Sequence, residues 1–86
     1  MGMNKFFRYL YKESWVTVRK EGTSYIIVDP IDLRVIKINK IQAAILYKMA
    51  VKEISIEEIK NVFRKHGIAG NAVDEFIENV KKNNLL

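Results

Sequence analysis

Residues 33–51, LRVIKINKIQAAILYKMAV, change period in the middle, and that change fixes the fold class. Successive strand residues alternate, so Leu33, Val35 and Lys37 point to one face and Arg34, Ile36 and Ile38 to the other. Val35, Ile36 and Ile38 are β-branched and suit pleated backbone. Asn39 then reads as a helix N-cap, because its side chain can accept from an orphan N–H of the first turn. From Ile41 the period is helical. Ile41, Ala44, Ile45 and Met49 share a face, with Lys40, Lys48 and Lys52 mostly off it. Residues before the switch read as strand and turn, and residues after it as helix, so the chain is expected to be α+β.

Ahead of the switch, Trp15–Lys20 alternates as a strand, with Val16 and Val18 on one face. Glu21-Gly22-Thr23 is a turn. Ser24–Asp29 is a second strand, apolar on both faces through Tyr25-Ile26-Ile27-Val28 and therefore central. Pro30 ends it within the turn Asp29-Pro30-Ile31-Asp32. Leu33–Ile38 is the third strand. Two short connections imply an antiparallel three-stranded meander whose third strand is an edge with unpaired N–H and C=O groups. Arg34 and Lys37 are charges of the kind that keep such an edge from aggregating. Trp15 reads as a partly buried packing residue, with a binding hot spot as the alternative. Lys5–Lys12, KFFRYLYK, interleaves bases with aromatics. It is either a patch for nucleic acid or an anionic surface, or a leading strand or arm whose aromatics cover the core edge; a small domain's need for aromatic area favours the second.

Behind the switch, Ser55 and Glu58 form a capping box, with Ile54 and Ile59 placed as a hydrophobic staple. The second helix is expected over 56–66, with Ile56, Ile59, Val62 and Phe63 as its apolar face and Gly67 as its stop. Glu57 and Glu58 in its first turn and Arg64, Lys65 and His66 in its last complement the helix dipole, so they need no binding role. Asn71 can cap a third helix carrying Val73, Phe76, Ile77 and Val80 at helical spacing. The closing Leu85-Leu86 is expected to pack back on the core.

Eighty-six residues make one domain with a modest core. The absence of cysteine excludes disulfides, thiolate metal sites and a Cys nucleophile, and the single His66 cannot build a zinc site alone. No apolar run approaches the ~18 residues of a membrane span. The N-terminus has no signal-peptide pattern, and Phe6 stands where a myristoylation motif wants Ser or Thr, so a cytoplasmic location is expected. There is no phosphate loop, metal spacing or nucleophile elbow, so neither an enzyme nor a cofactor is expected. The net charge of +5 is uneven. Residues 1–20 hold five basic residues and one acidic, 21–50 four and three, and 51–86 six and six. The basic excess is therefore not on the helices, where a groove-reading helix would carry it.

Three passages carry a family resemblance. They are Val18-Arg19-Lys20-Glu21-Gly22 between the first strands; Ile38-Asn39 followed by Ala43-Ala44-Ile45-Leu46; and Ile54-Ser55-Ile56-Glu57-Glu58-Ile59, followed by Val73-Asp74-Glu75-Phe76-Ile77 and Asn84-Leu85-Leu86. In this order they resemble the PqqD-like proteins, whose fold is the RiPP recognition element of peptide natural-product pathways. The resemblance covers residues 15–86, leaving 1–14 as an N-terminal arm or leading strand. Two positions depart from the pattern: Val51-Lys52-Glu53 stands where an Asp-Gly pair often precedes the second helix, and Ile38 replaces the usual Leu. The resemblance implies a winged-helix-like, three-stranded antiparallel sheet followed by three helices, without catalysis. It implies capture of the leader segment of a ribosomally made precursor peptide, which adds as a strand beside the third strand in a groove walled by the third helix. It also implies presentation of that leader to a modifying enzyme such as a radical SAM protein.

The residues fit that mechanism independently, since an open edge supplies backbone hydrogen bonds and flanking pockets read alternate side chains. The edge would be Arg34, Val35, Ile36, Lys37 and Ile38, and the wall Val73, Ile77, Val80 and Lys81, with Arg34, Lys37 and Lys81 attracting acidic leader residues. Val73, Ile77 and Val80 could equally be core, and Phe76 reads as core. The alternatives are a winged-helix nucleic-acid-binding module, motivated by a pI near 9.6, and a homodimer through the open edge or the aromatic arm.

Overall fold

The computed structural model describes residues 6–86; Lys5 and the first four residues of the expected arm lie outside them. Among the described residues, four strands precede three helices: β1 (Phe6–Tyr11), β2 (Ser14–Glu21), β3 (Ser24–Val28), β4 (Val35–Ile38), α1 (Lys40–Ala50), α2 (Ile56–Arg64) and α3 (Gly70–Lys82). The strands form one antiparallel sheet in the order β1-β2-β3-β4, so the α+β class and the central place of Ser24–Val28 hold.

The strand count is corrected from three to four. Phe6–Tyr11, the described part of that basic–aromatic stretch ahead of its turn, is the leading strand: Phe7 and Tyr9 are buried while Phe6, Arg8 and Leu10 face out. Its hairpin to β2 turns on Lys12 and Glu13, whose φ values are 47° and 66°. Two positive φ values are what a two-residue primed turn requires, and Asn-Gly is its usual signature. Lys-Glu carries no such signal, so the pairing is set by the buried Phe7 and Tyr9 rather than by the turn.

The other boundaries shift locally. β4 starts at Val35 rather than Leu33, because Leu33 has φ 56° and is 77% exposed. α1 is capped by Asn39, whose side chain accepts from the Gln42 N–H at 2.7 Å while Gln42 Oε1 accepts from the Asn39 N–H at 3.0 Å. Its buried residues are Ala43, Ile45 and Leu46, and Ile41 is exposed. A run of four consecutive apolar residues lets several faces turn inward, and packing chose between them. Ser55 accepts from the Glu58 N–H at 3.3 Å, and Ile59 and Phe63 are α2's buried residues. α2 ends at Arg64 rather than His66: Gly67, at φ 80°, allows its own N–H to reach the Arg64 carbonyl and that of Ile68 to reach Phe63. α3 begins at Gly70 with Ala69 as its N-cap, two residues before the expected Asn71 cap, which lies inside the helix, and it has no side-chain cap.

One sheet face and three helices enclose the core. Phe7, Val16, Val18 and Ile27 meet Leu46, Ile59, Val73 and Ile77 there. Leu85 is 1% exposed and joins them, as expected of the closing leucines. No helix among the described residues is long and apolar enough to cross a membrane.

Candidate functional site

β4 is an outer strand of the sheet, and its ladder decides which of its backbone groups are spent. Asp29 N–H donates to the Arg34 carbonyl at 2.9 Å. Hydrogen-bonding residues alternate along an antiparallel pair, so Arg34, Ile36 and Ile38 address β3. The N–H and C=O groups of Val35 and Lys37 therefore point to the open edge, where no strand pairs with them among the described residues. Side chains alternate in the other sense. Ile36 and Ile38 turn toward the helices, Ile38 buried and Ile36 half-buried, while Val35 and Lys37 are exposed on the outer face.

Beneath that edge a groove of about 200 Å³ opens between β4 and α3. Ile27, Ile36 and Ile38 form its sheet wall and Phe76, Val80 and Leu85 the opposite wall. Its polar lining consists of uncharged amides, Gln42, Asn79 and Asn83, together with Lys37. Small-molecule sites span roughly 300–1,000 Å³. This groove is smaller and suits side chains of an extended segment. No three His, Cys, Asp or Glu residues come together to hold a metal ion among the described residues.

Helical spacing explains which α3 residues reach the groove. Phe76, Asn79, Val80 and Asn83 succeed one another at three- and four-residue steps and line one side. Val73, at 0% exposure, and Ile77, at 4%, lie on the neighbouring stripe and pack into the core. Of the expected wall residues, the structure brings only Val80 to the groove. Val73 and Ile77 support α3 from behind, and Lys81 is exposed away from it.

Arg34 has a different task from the one its charge suggested. Its Nε and Nη2 donate to Asp29 Oδ2 at 3.0 and 2.8 Å, Nη1 donates to Asn83 Oδ1 at 3.0 Å, and Nη2 donates to the Asn83 carbonyl at 2.7 Å. A guanidinium has five N–H donors, and these bonds occupy most of them. Asp29 Oδ1 also accepts from the Ile31 and Asp32 N–H groups at 2.9 and 3.2 Å. Those bonds, the Ile31 N–H foremost and the Arg34 guanidinium next, hold the buried Asp29 carboxyl below its ordinary range against the opposing effect of burial. Arg34 thus ties the β3–β4 turn to the end of α3 at the groove residue Asn83.

The C-terminal segment is held by further bonds. Asn84, at φ 58°, lets its N–H reach the Lys81 carbonyl at 3.0 Å and that of Leu85 reach Val80 at 3.1 Å. This is the double bond of a Schellman ending. The Tyr9 hydroxyl donates to the Leu85 carbonyl from β1. Burial, with a smaller push from Tyr11, raises the ionisation of Tyr9 far above the usual tyrosine value, so the hydroxyl stays a donor.

Asn79, Asn83 and Gln42 are groove residues that sequence reasoning missed. The i, i+3, i+4, i+7 row running from Phe76 through Asn79 and Val80 to Asn83 was the available signal. Gln42 was hidden because nothing local distinguishes a capping glutamine from a groove one. Set beside protein-family models, curated proteins and solved structures, the chain matches none of them.

Proposed function

We propose that this protein is a non-catalytic peptide-binding adaptor. It captures the leader segment of a ribosomally made precursor peptide by strand addition to β4 and presents it to a modifying enzyme, such as a radical SAM protein. One observation carries this reading: the free backbone edge at Val35 and Lys37 lies directly above an apolar groove walled by α3. An added strand would gain main-chain hydrogen bonds from the edge and place alternate side chains in the groove. The resemblance of residues 15–86 to the PqqD-like proteins supports the same mechanism. The arrangement is read as winged-helix-like on the mutual packing of α1, α2 and α3 beside a hairpin-built sheet.

An amide NMR titration tests this, using the leader half of a short peptide encoded beside the gene. Shifts are expected at Val35–Ile38 and along Phe76–Leu85. Binding that leaves those amides unmoved rejects the strand-addition geometry.

A further inference from the structure

The sheet face opposite the helices shares only Lys37 with the groove lining, and it is not an ordinary solvated face. Paired residues share a face, so the register sets Phe6, Arg19, Ile26 and Lys37 in one cross-strand row. Arg8, Thr17, Val28 and Val35 form the next, and Leu10 lies beside Trp15. The buried core is built from the alternate residues of these strands, and among the described residues no element packs on this side. Leu10 is 58% exposed, Trp15 54% and Val35 62%. A sheet face turned to water is usually polar. Here aromatic and aliphatic side chains are interleaved with Arg8, Arg19 and Lys37. The one carboxylate on these strands that shares the face, Glu21, is engaged by Arg19 at 3.3 Å. The Arg8 guanidinium lies 5.5 Å from the centre of the Trp15 ring.

We infer that this outer face binds single-stranded nucleic acid, RNA or DNA, by base stacking on Trp15 and phosphate contacts with Arg8, Arg19 and Lys37. Sequence-tolerant single-strand binders combine cations that track the backbone with aromatic rings that take the bases. Phe6 and Trp15 sit four strand positions apart, about 13 Å at ~3.3 Å per residue, with Arg8 between them. Two ring faces so separated, with a guanidinium between, suit a strand whose bases are splayed apart. A duplex is a poor fit, because the major groove admits a helix or a two-stranded ribbon and this face is four strands wide. A protein partner is less favoured, because the centres of protein interfaces are depleted of charge and cations occupy both middle rows here. The lack of a basic excess on the helices weighs against a groove-reading helix and does not bear on a sheet face. The inference does not rest on the β4 groove, which opens on the other side of the sheet and shares only Lys37 with this face.

Trp15 is the only tryptophan of the chain, so its emission reports directly on stacking. The full chain is titrated with oligouridylate and oligothymidylate of about 12 nucleotides, with a matching duplex, with polyglutamate and with phosphatidylserine vesicles. Quenching by the single strands is expected, with an affinity that falls with salt at a log–log slope of about −2 for three neutralised phosphates. Because thymine also carries a 5-methyl group, oligodeoxyuridylate is titrated as well, and its difference from oligouridylate isolates the 2′-hydroxyl that separates RNA from DNA. By anisotropy of a labelled oligomer, Trp15→Ala is expected to weaken binding about 5- to 150-fold and Arg8→Ala to reduce the slope by about 0.7. Both side chains are exposed, and circular dichroism verifies that the variants fold. The inference is overturned by no quenching at low salt, by binding that survives Trp15→Ala unchanged, or by an equal response to the duplex. It is equally overturned if polyglutamate or the vesicles perturb Trp15 and the oligomers do not.

Discussion

β1 and β4 are the two edges of one sheet, but only β4 stands beside open space. The alternation that frees Val35 and Lys37 at one edge frees Phe6, Arg8 and Leu10 at the other. The difference lies on the helix side. Next to β1 the space is filled: Phe7 meets Tyr47 edge to face at 5.1 Å, and Tyr9 holds the Leu85 carbonyl. Next to β4 the space between Ile36, Ile38, Phe76 and Val80 is left as the groove. An unpaired edge by itself is a hazard that proteins normally blunt. An unpaired edge with an empty apolar groove beneath it is a place where a strand can be received. One segment links the two edges, since residues 83–85 are held by Arg34 of the β3–β4 connection and by Tyr9 of β1.

The sharpest way to break this comparison is to loosen the shared segment. Leu85→Ala is expected to destabilise the fold by about 2–5 kcal/mol, the usual cost of emptying a buried leucine site. Urea unfolding measures it, and a loss below about 0.5 kcal/mol would mean that the tail is not part of the core. Tyr9→Phe keeps the ring but removes the donor to Leu85. It is expected to cost about 1–3 kcal/mol for the buried carbonyl left without its partner, with amide shifts at residues 83–86.

Substitutions at the two edges then separate them by function. Lys37→Pro removes an N–H that points away from β3, so the sheet is retained. Peptide affinity is expected to fall at least about tenfold, ~1.4 kcal/mol, by calorimetry. Arg8→Pro makes the same change at the other edge and is expected to leave peptide affinity unchanged. Equal losses at the two edges would show that β4 has no special role.

The smallest effect is that of pH. The folded-state pKa of Asp29 lies below its unfolded value, so its contribution is complete above about pH 3.9 and is lost as pH falls from there through the folded value. Acid titration monitored by NMR is expected to release Arg34 from Asp29 and move the amides of Ile31, Asp32 and Asn83. In Asp29→Asn those amides are expected to show no acid transition attributable to this carboxyl.

Much of the fold was legible because it is local. Asn39 and Ser55 announce their helices, Pro30 ends β3, and the apolar run Tyr25–Val28 marks the central strand. Where the signal is weak or shared, the reading went astray. Lys12-Glu13 hides a tight turn. The run from Ala43 to Leu46 offers several inward faces. In α3, Phe76 and Val80 belong to core and groove at once, so periodicity alone could not separate the groove wall from Val73 and Ile77 behind it.

The sequence by itself determined the alternation of the strands, the caps at Asn39 and Ser55, the buried Ile59 and Phe63 of α2, and the switch at Asn39 that makes the chain α+β. These depend on neighbours within about one helical turn or one hairpin. Only the tertiary structure decided that β1 completes the sheet, that Arg34 spends its donors on Asp29 and Asn83, and that space remains beneath β4. The Arg34–Asp29 pair spans only five residues, but Arg34 reaches Asn83 across 49, and Tyr9 reaches Leu85 across 76. A charge written in the sequence does not say which distant carbonyl will claim it; that is set by where packing brings the end of α3.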